Sequence, residues 1–483
     1  MEKLIFEKSV SGRKGYTLPA LDVPNKSGLI PSNYLRKTPA ALPEVPETDI
    51  SRHYIRLSNL NHCIEKGFYP LGSCTMKYNP KVNEVVAALP GFAALHPHTP
   101  TYAAQGALEV MYELGECLKE ITGMQGVTLQ PCAGAQGELT GALCFRAYFK
   151  HKGEHNRTKM LMPESAHGTN PATAVTAGFT TVTVKCSPNG AIDIDDLKSK
   201  LGNDIAGIMI TNPSTIGVFE SNIIEIEKLI HGCGGLMYMD GANLNALLGI
   251  TRPGDMHFDC VHINLHKTMS TPHGGGGPGA GPICVNEKLQ PFLPTPQIVK
   301  NGDKFEFANN TAKQFADSIG RMHSFYGNFG VLLRALTYIR MNGATGMRRI
   351  AENAIINANY IQTRLQEHYL LPYKVKCMHE CVFSSDLQKE NGITAINIAK
   401  RLLDYGIHAP TVHFPLIVHE ALLIEPTETE KLEDLDDFCN AMIKIAEEAK
   451  NTPELVLNAP LTTPVRRLDD ALAVRKPNLK YVN

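Results

Sequence analysis

No charge of one sign dominates this sequence: 47 Lys and Arg side chains stand against 48 Asp and Glu, a formal net charge of −1. That near-cancellation excludes the electrostatic footprint of a nucleic-acid binder or of a protein held on an acidic membrane. No apolar run approaches the roughly 20 residues needed to span a bilayer. The segment Met1 to Lys8 mixes charges and lacks both an apolar signal core and a small-residue cleavage site. A cytoplasmic protein is expected. The 12 cysteines are scattered singly, with no Cys-x-x-Cys and only Cys377 and Cys381 close together. Buried thiols in a reducing compartment are expected rather than a disulfide framework. No metal centre is expected either. His96-Pro97-His98 has no Cys or carboxylate cluster beside it and reads as a turn or a pocket wall.

What is present is a chain of 483 residues, too long for one ordinary core, so two or three domains are expected. Residues 1–100 are rich in Pro, Gly and Asn and weakly periodic. They read as an N-terminal arm that wraps another surface. From about 105 the pattern becomes regular. A helix at 106–121 precedes a strand at 127–129, and a second helix opens near Gly137. Strand candidates then recur with helical spacers at 159–162, 181–184, 205–210, 236–239, 261–264 and 282–285. Several are continuous apolar runs, as expected of strands covered on both faces. The fold class that follows is α/β, a mainly parallel sheet forming a large domain over 101–330. A helical stretch at 331–368, interrupted at Gly343 and Gly346, opens a smaller α+β domain that runs to about 450. Residues 451–483, with Pro453, Pro460, Pro464 and Pro477, read as a tail.

Functional groups in such sheets collect at the carboxyl ends of strands. Lys267 ends the run Val261-His262-Ile263-Asn264-Leu265-His266-Lys267, just before Pro272-His273-Gly274-Gly275-Gly276-Gly277-Pro278-Gly279. The run reads as delivering an amine to a strand end beside a sharply bending loop. Upstream, Leu236-Met237-Tyr238-Met239 ends in Asp240. An amine that can form a Schiff base and an acid that can keep a pyridine nitrogen protonated are what pyridoxal 5'-phosphate (PLP) requires. The other demands of PLP have candidates in chain order. Ala133-Gly134-Ala135-Gln136-Gly137, between a strand and a helix, has the small residues that let a phosphate approach, with Gly134, Ala135 and Gln136 as its candidates. His167 suits a cover for the ring face, and Asn212 a donor to the phenolic oxygen. Ala242, in the exit turn after Asp240, and His266, beside Lys267, complete the candidate cofactor-binding set. Each alone has a plainer reading: a turn, a structural histidine, a solvated lysine. It is their order along successive strand ends that points to PLP held covalently on Lys267.

This constellation resembles the fold-type I PLP-dependent transferases, and more closely the P-protein family of the glycine cleavage system. The matching stretches are 69–77, 165–171, 212–220, 264–279 with its His-Lys-Thr and Pro-His-Gly-Gly-Gly-Gly-Pro-Gly, 324–331 and 463–478. The resemblance implies the C-terminal, lysine-bearing half of a two-subunit form, with a partner subunit 1 in an α2β2 assembly. It implies PLP-dependent removal of CO₂ from glycine, with Lys267 and His167 catalytic, and passage of the aminomethyl group to the lipoyl arm of H-protein. Decarboxylation wants a poorly solvated carboxylate, and a guanidinium clamp would work against it. Residues 402–450, where an aminotransferase would usually place that arginine, contain none. Residues 69–80, His96 to His98 and the glycines 274–277 are candidate walls of a channel for the lipoyl arm. Two rivals stay open. One is another fold-type I enzyme, such as an amino-acid decarboxylase or a cysteine desulfurase using Cys381 on a loop. The other is a non-catalytic scaffold.

Overall fold

The computed structural model describes residues 2–479 apart from 16, 17, 25, 27, 39, 274–276 and 278. The chain divides into two units, Met1–Lys66 and Gly67–Asn483. The first holds one long helix, α1 (Glu47–Asn59), whose buried His53 meets the carboxylate of Glu2 at 3.3 Å. The second contains everything that bears on the site.

Its centre is a seven-stranded sheet. The strands are β1 (Gly126–Thr128), β2 (Lys159–Pro163), β3 (Thr180–Val184), β4 (Ile205–Thr211), β5 (Leu236–Gly241), β6 (Cys260–Ile263) and β7 (Ile283–Val285), in the spatial order β1-β7-β6-β5-β4-β2-β3. β3, β2, β4, β5 and β6 pair in parallel, and β7 runs antiparallel to both β6 and β1. The mainly parallel sheet expected from the apolar runs is therefore observed, with two antiparallel pairings that the runs alone did not reveal. β5 shows why the strands lack alternation. Met237 and Met239 join one core, and Leu236 and Tyr238 join the core on the opposite face. A strand buried on both sides has no polar face to display. The first core takes Met111, Leu114 and Leu118 from helix α2 (Gln105–Thr122). The second takes Phe145 and Phe149 from α3 (Gly134–His151).

A hairpin absent from the sequence expectation, β8 (Gln297–Asn301) and β9 (Lys304–Ala308), turns through Gly302-Asp303 with Gly302 at φ 60°. Gly-Asp between two short runs is itself a hairpin signal.

The long helix spans Phe329–Leu365 and departs from helical geometry at Gly343 (φ 60°, ψ −177°), while Gly346 stays helical. Only one of the two expected interruptions exists. The helix serves two cores in turn. Leu332, Leu336 and Ile350 pack with the large sheet, and Ala358, Ile361 and Leu365 join a second core, within the residues proposed as a smaller domain. Beside that core lies an antiparallel sheet, β10 (Cys381–Ser384), β11 (Thr411–Val412) and β12 (Ala421–Ile424), ordered β10-β12-β11. Cys381 is fully buried in β10, not on a loop as expected, because its neighbours Val382 and Phe383 continue the apolar run into the core. Among the described residues no helix is long and apolar enough to cross a membrane.

Candidate active site

The carboxyl ends of β4, β5 and β6 meet the start of α3 around a cavity of about 210 Å³. Its lining includes Gly134, Ala135, His167, Asp240, Ala242, His266 and Lys267. Seven of the nine residues proposed from sequence are thus brought together.

Strand periodicity aims Asp240. It shares a face with Leu236 and Tyr238, the face that α3 covers, so it points toward Glu138 on that helix. α3 comes close because small residues recur along one side. A side-chain carbon on Gly134 would collide with the amide of Asn264, and one on Gly137 would lie 3.1 Å from Cβ of His262. The Asp240 carboxylate accepts from the Ala242 N–H (3.0 Å), the Asn170 amide (3.2 Å) and the Thr211 hydroxyl (3.4 Å), and faces Nε2 of His262 at 3.3 Å. Burial opposes its charge, but His262, the Ala242 N–H and the Lys267 ammonium outweigh burial and hold the carboxyl below its ordinary range.

Glu138 goes the other way. Its carboxyl is pushed up to about 8, first by burial and then by the charge on Asp240. Two neighbouring carboxyls thus differ in state, Asp240 ionised and Glu138 protonated. Glu138 is further engaged by the hydroxyls of Thr169 (2.8 Å) and Thr173 (3.2 Å). It was missed in the sequence because a glutamate inside an amphipathic helix reads as a solvated face.

Lys267 is not at a strand end. β6 stops at Ile263, and the N–H groups of Lys267 and Thr268 both turn back to the carbonyl of Asn264 at 3.0 Å. The lysine therefore sits on a single helical turn, α4 (Leu265–Thr268). His266 is held near 3 by burial and by the charge of Lys267, so it is a neutral imidazole at the cavity wall. His167 is half-buried, its Nδ1 2.8 Å from the Thr169 hydroxyl and its ring edge-on to Phe414 at 5.4 Å. Burial lowers its pKa, against the pull of Asp240.

Two proposed residues are not on the cavity wall. Gln136 folds back to accept from the N–H of Cys132 (2.7 Å) and to donate to the carbonyl of Met322 (2.9 Å). Asn212 is fully buried, and its carbonyl oxygen accepts from the N–H of Glu220 (3.1 Å). Both positions are polar and follow strands, and sequence does not say which way such a side chain turns. The wall instead includes Ser73, Thr169, Thr211, Thr215, Asn243 and Asn264, none of them singled out from sequence for this role. His96 and His98 form a turn, the N–H of His98 donating to Nδ1 of His96 (3.1 Å), with His98 against Phe325. The glycines 274–276 and Pro278 lie outside the described residues, so the wall expected of that loop has no structural description.

The set offers unmatched N–H groups at a helix start, a buried carboxylate suited to a cationic N–H, and an amine opposite it. The buried side-chain amide oxygens of Asn243 and Asn264 have no hydrogen-bond partner among the described residues.

A family model described as "Glycine dehydrogenase, C-terminal domain" matches residues 350–460. Among curated proteins, the chain is 60% identical to "Probable glycine dehydrogenase (decarboxylating) subunit 2" of Chloroherpeton thalassium, covering 99% of this chain and 98% of that one. It is 59% identical to the protein of the same name from Chlorobaculum tepidum, covering 99% of each, and 55% identical to that of Staphylococcus aureus, covering 99% and 98%. Among solved structures, a glycine decarboxylase (P-protein) of the glycine cleavage system in inhibitor-bound form superposes with a TM-score of 0.72 at 20% identity, covering 86% of this chain and 93% of that one. A cysteine desulfurase from Thermococcus onnurineus superposes with a TM-score of 0.59 at 15% identity, covering 79% and 95%. These two likenesses concern the fold, which is the fold-type I architecture. Identity of 55–60% over almost the whole length decides the rest: the chain belongs to the family of glycine dehydrogenase (decarboxylating) subunit 2.

Proposed function

We propose that the cavity binds PLP, covalently through Lys267, and that the chain removes CO₂ from glycine and passes the aminomethyl group to the lipoyl arm of an H-protein. It works with a partner subunit 1, in an α2β2 assembly, in the cytoplasm. The observation that carries this reading is the pairing of Asp240 and Lys267 across one polar cavity, with Asp240 kept ionised although it is buried.

PLP, when bound, supplies an electron-withdrawing ring that takes up the electron pair left on the glycine α-carbon as CO₂ departs. The residues supply the rest. The first N–H groups of α3, at Gly134 and Ala135, suit the phosphate. Asp240 suits the ring nitrogen and would hold its proton there. His167, kept neutral by burial, covers one ring face without adding a charge. The amine of Lys267, on the cavity wall, would make the covalent link and, once released, could hold or return a proton. Among the described lining residues there is no arginine, and Ser73 on the wall is backed by the buried carboxyl of Glu380 at 2.7 Å. A glycine carboxylate placed there meets no guanidinium clamp among the described lining residues, which favours its loss over its retention.

The desulfurase reading is disfavoured because Cys381 is buried in β10 and no described lining residue is a cysteine. The visible spectrum of the purified chain with PLP, and glycine-dependent ¹⁴CO₂ exchange with subunit 1 and H-protein present, test the proposal together. A normal spectrum without exchange would leave a PLP enzyme of another specificity. No cofactor absorbance at all would leave the scaffold.

A further inference from the structure

Three strained residues crowd around the turn that carries Lys267. Ser73, Thr75 and Ser270 all have positive φ, at 64°, 49° and 52°. A β-branched residue in that region is a genuine outlier, and such strain persists only where the surroundings over-determine it. The surroundings here are three acids of the smaller domain, which reach every second residue of one short segment. Glu380 accepts from the N–H of Ser73 (2.7 Å). Glu425 accepts from both the N–H (3.0 Å) and the hydroxyl (2.6 Å) of Thr75. Glu428 accepts from the ammonium of Lys77 (2.8 Å).

The same segment then reaches the other way. Lys77, buried, also donates to the carbonyl of Thr268 (3.0 Å), the last residue of α4, and to the hydroxyl of Tyr338 (3.2 Å) on the long helix. Asn79 donates to the carbonyl of Ser270 (3.0 Å), and the Ser270 hydroxyl donates to the carbonyl of Tyr78 (2.8 Å). A cation at the carbonyl end of a helical turn satisfies acceptors that the turn leaves open. The helical turn bearing Lys267 is thus anchored at its far end by the strap, not by the sheet that precedes it.

We propose that Thr75 and Lys77 are positioning residues: the strap Ser73–Asn79, fixed by Glu380, Glu425 and Glu428, holds the Lys267 turn in place and ties it to the smaller domain. This rests on the proposed use of Lys267, yet the strap has a signature of its own. Loosening it changes the dynamics at 265–270 before any cofactor or substrate is present.

Two variants separate the outcomes. Thr75→Val removes one strap bond and keeps the charges. The double variant Lys77→Met/Glu428→Gln removes a buried ion pair as a unit and leaves no uncompensated charge. Amide hydrogen exchange is followed on the full chain without PLP. ¹⁴CO₂ exchange is followed with PLP, subunit 1 and H-protein. In both variants amide exchange across 265–270 is expected to rise by about tenfold or more while the central strands stay protected. A small displacement of the amine is expected to lower kcat by about 10–100-fold. KM for glycine should stay within about threefold of the parent value, since neither variant replaces a residue of the cavity wall. Unchanged exchange at 265–270, or a rise shared equally by β4 and β5, would overturn the strap. Absence of CO₂ exchange in the unaltered protein would instead overturn the proposed reaction, and the amide data would still decide the strap.

Discussion

At the scale of single residues the proposed chemistry rests on Lys267 and Asp240. Asp240 is buried, yet it is held ionised by one N–H, one amide, an adjacent imidazole and the ammonium of Lys267. Asp240→Asn keeps the shape and removes the charge. Steady-state CO₂ exchange should then show kcat lowered by about 10²–10³, the usual cost of losing one preorganised electrostatic group. PLP absorbance should remain, because the proposed link through Lys267 is left in place. Lys267→Ala should do the opposite, abolishing the visible band of the covalently held cofactor together with turnover. If Lys267→Ala retained that band after dialysis, the covalent assignment would fail.

Elements decide how near these groups come. α3 lies close to β5 and β6 because Gly134 and Gly137 present hydrogen where Asn264, His262 and the backbone of Gly281 stand. Gly134→Ala forces a carbon against the Asn264 amide. Overpacking of this kind costs about 1–3 kcal/mol, which corresponds to PLP binding weakened by about 5–150-fold in a fluorescence titration. Gly343 shows the same logic in a helix. Its φ of 60° with ψ of −177° is a conformation almost confined to glycine. Gly343→Ala should lower unfolding stability by about 1–3 kcal/mol, read as a lower urea midpoint with an unchanged slope. The kink was legible as a glycine in a long helical pattern. That Gly346 stays helical was not, because a single glycine is tolerated in a helix and only packing decides which one bends.

For the molecule as a whole, burial of Glu138 predicts a pH dependence. Its folded-state value, about 8, lies above the ordinary 4.5. The folded chain therefore holds a proton that the unfolded chain releases. The stability it contributes is complete below about 4.5 and is lost as pH rises toward 8. His266 and His379, both held near 3 by burial and the charge of Lys267, act in the opposite sense between about 3 and 6.5. The difference between parent and Glu138→Gln isolates the first effect. In urea unfolding without PLP, the parent should lose stability relative to the variant between pH 5 and 8. A constant difference across that range would refute the protonated Glu138.

The linear order of the chemistry was legible because strands in a parallel sheet bring their exits to one edge, so residues far apart in sequence share a rim. That logic reached His167, Asp240 and Lys267, and the apolar runs gave the sheet that carries them. It failed where direction mattered. Gln136 occupies the right turn but spends its amide on Cys132 and Met322, and Asn212 lies off the cavity wall, its side-chain oxygen taken by the N–H of Glu220. Glu138 looked like helix surface, and Lys267 looked like strand end. The segment 73–79 read as loop and as a candidate channel wall but not as a strap, since that role lies in carboxyls some 300 positions downstream, as Glu380 is from Ser73. The sequence by itself determined which chemical groups were available and in what order the sheet would present them. Tertiary structure alone decided which of them point inward and which are charged, because side-chain direction and pKa depend on neighbours that a linear pattern does not name.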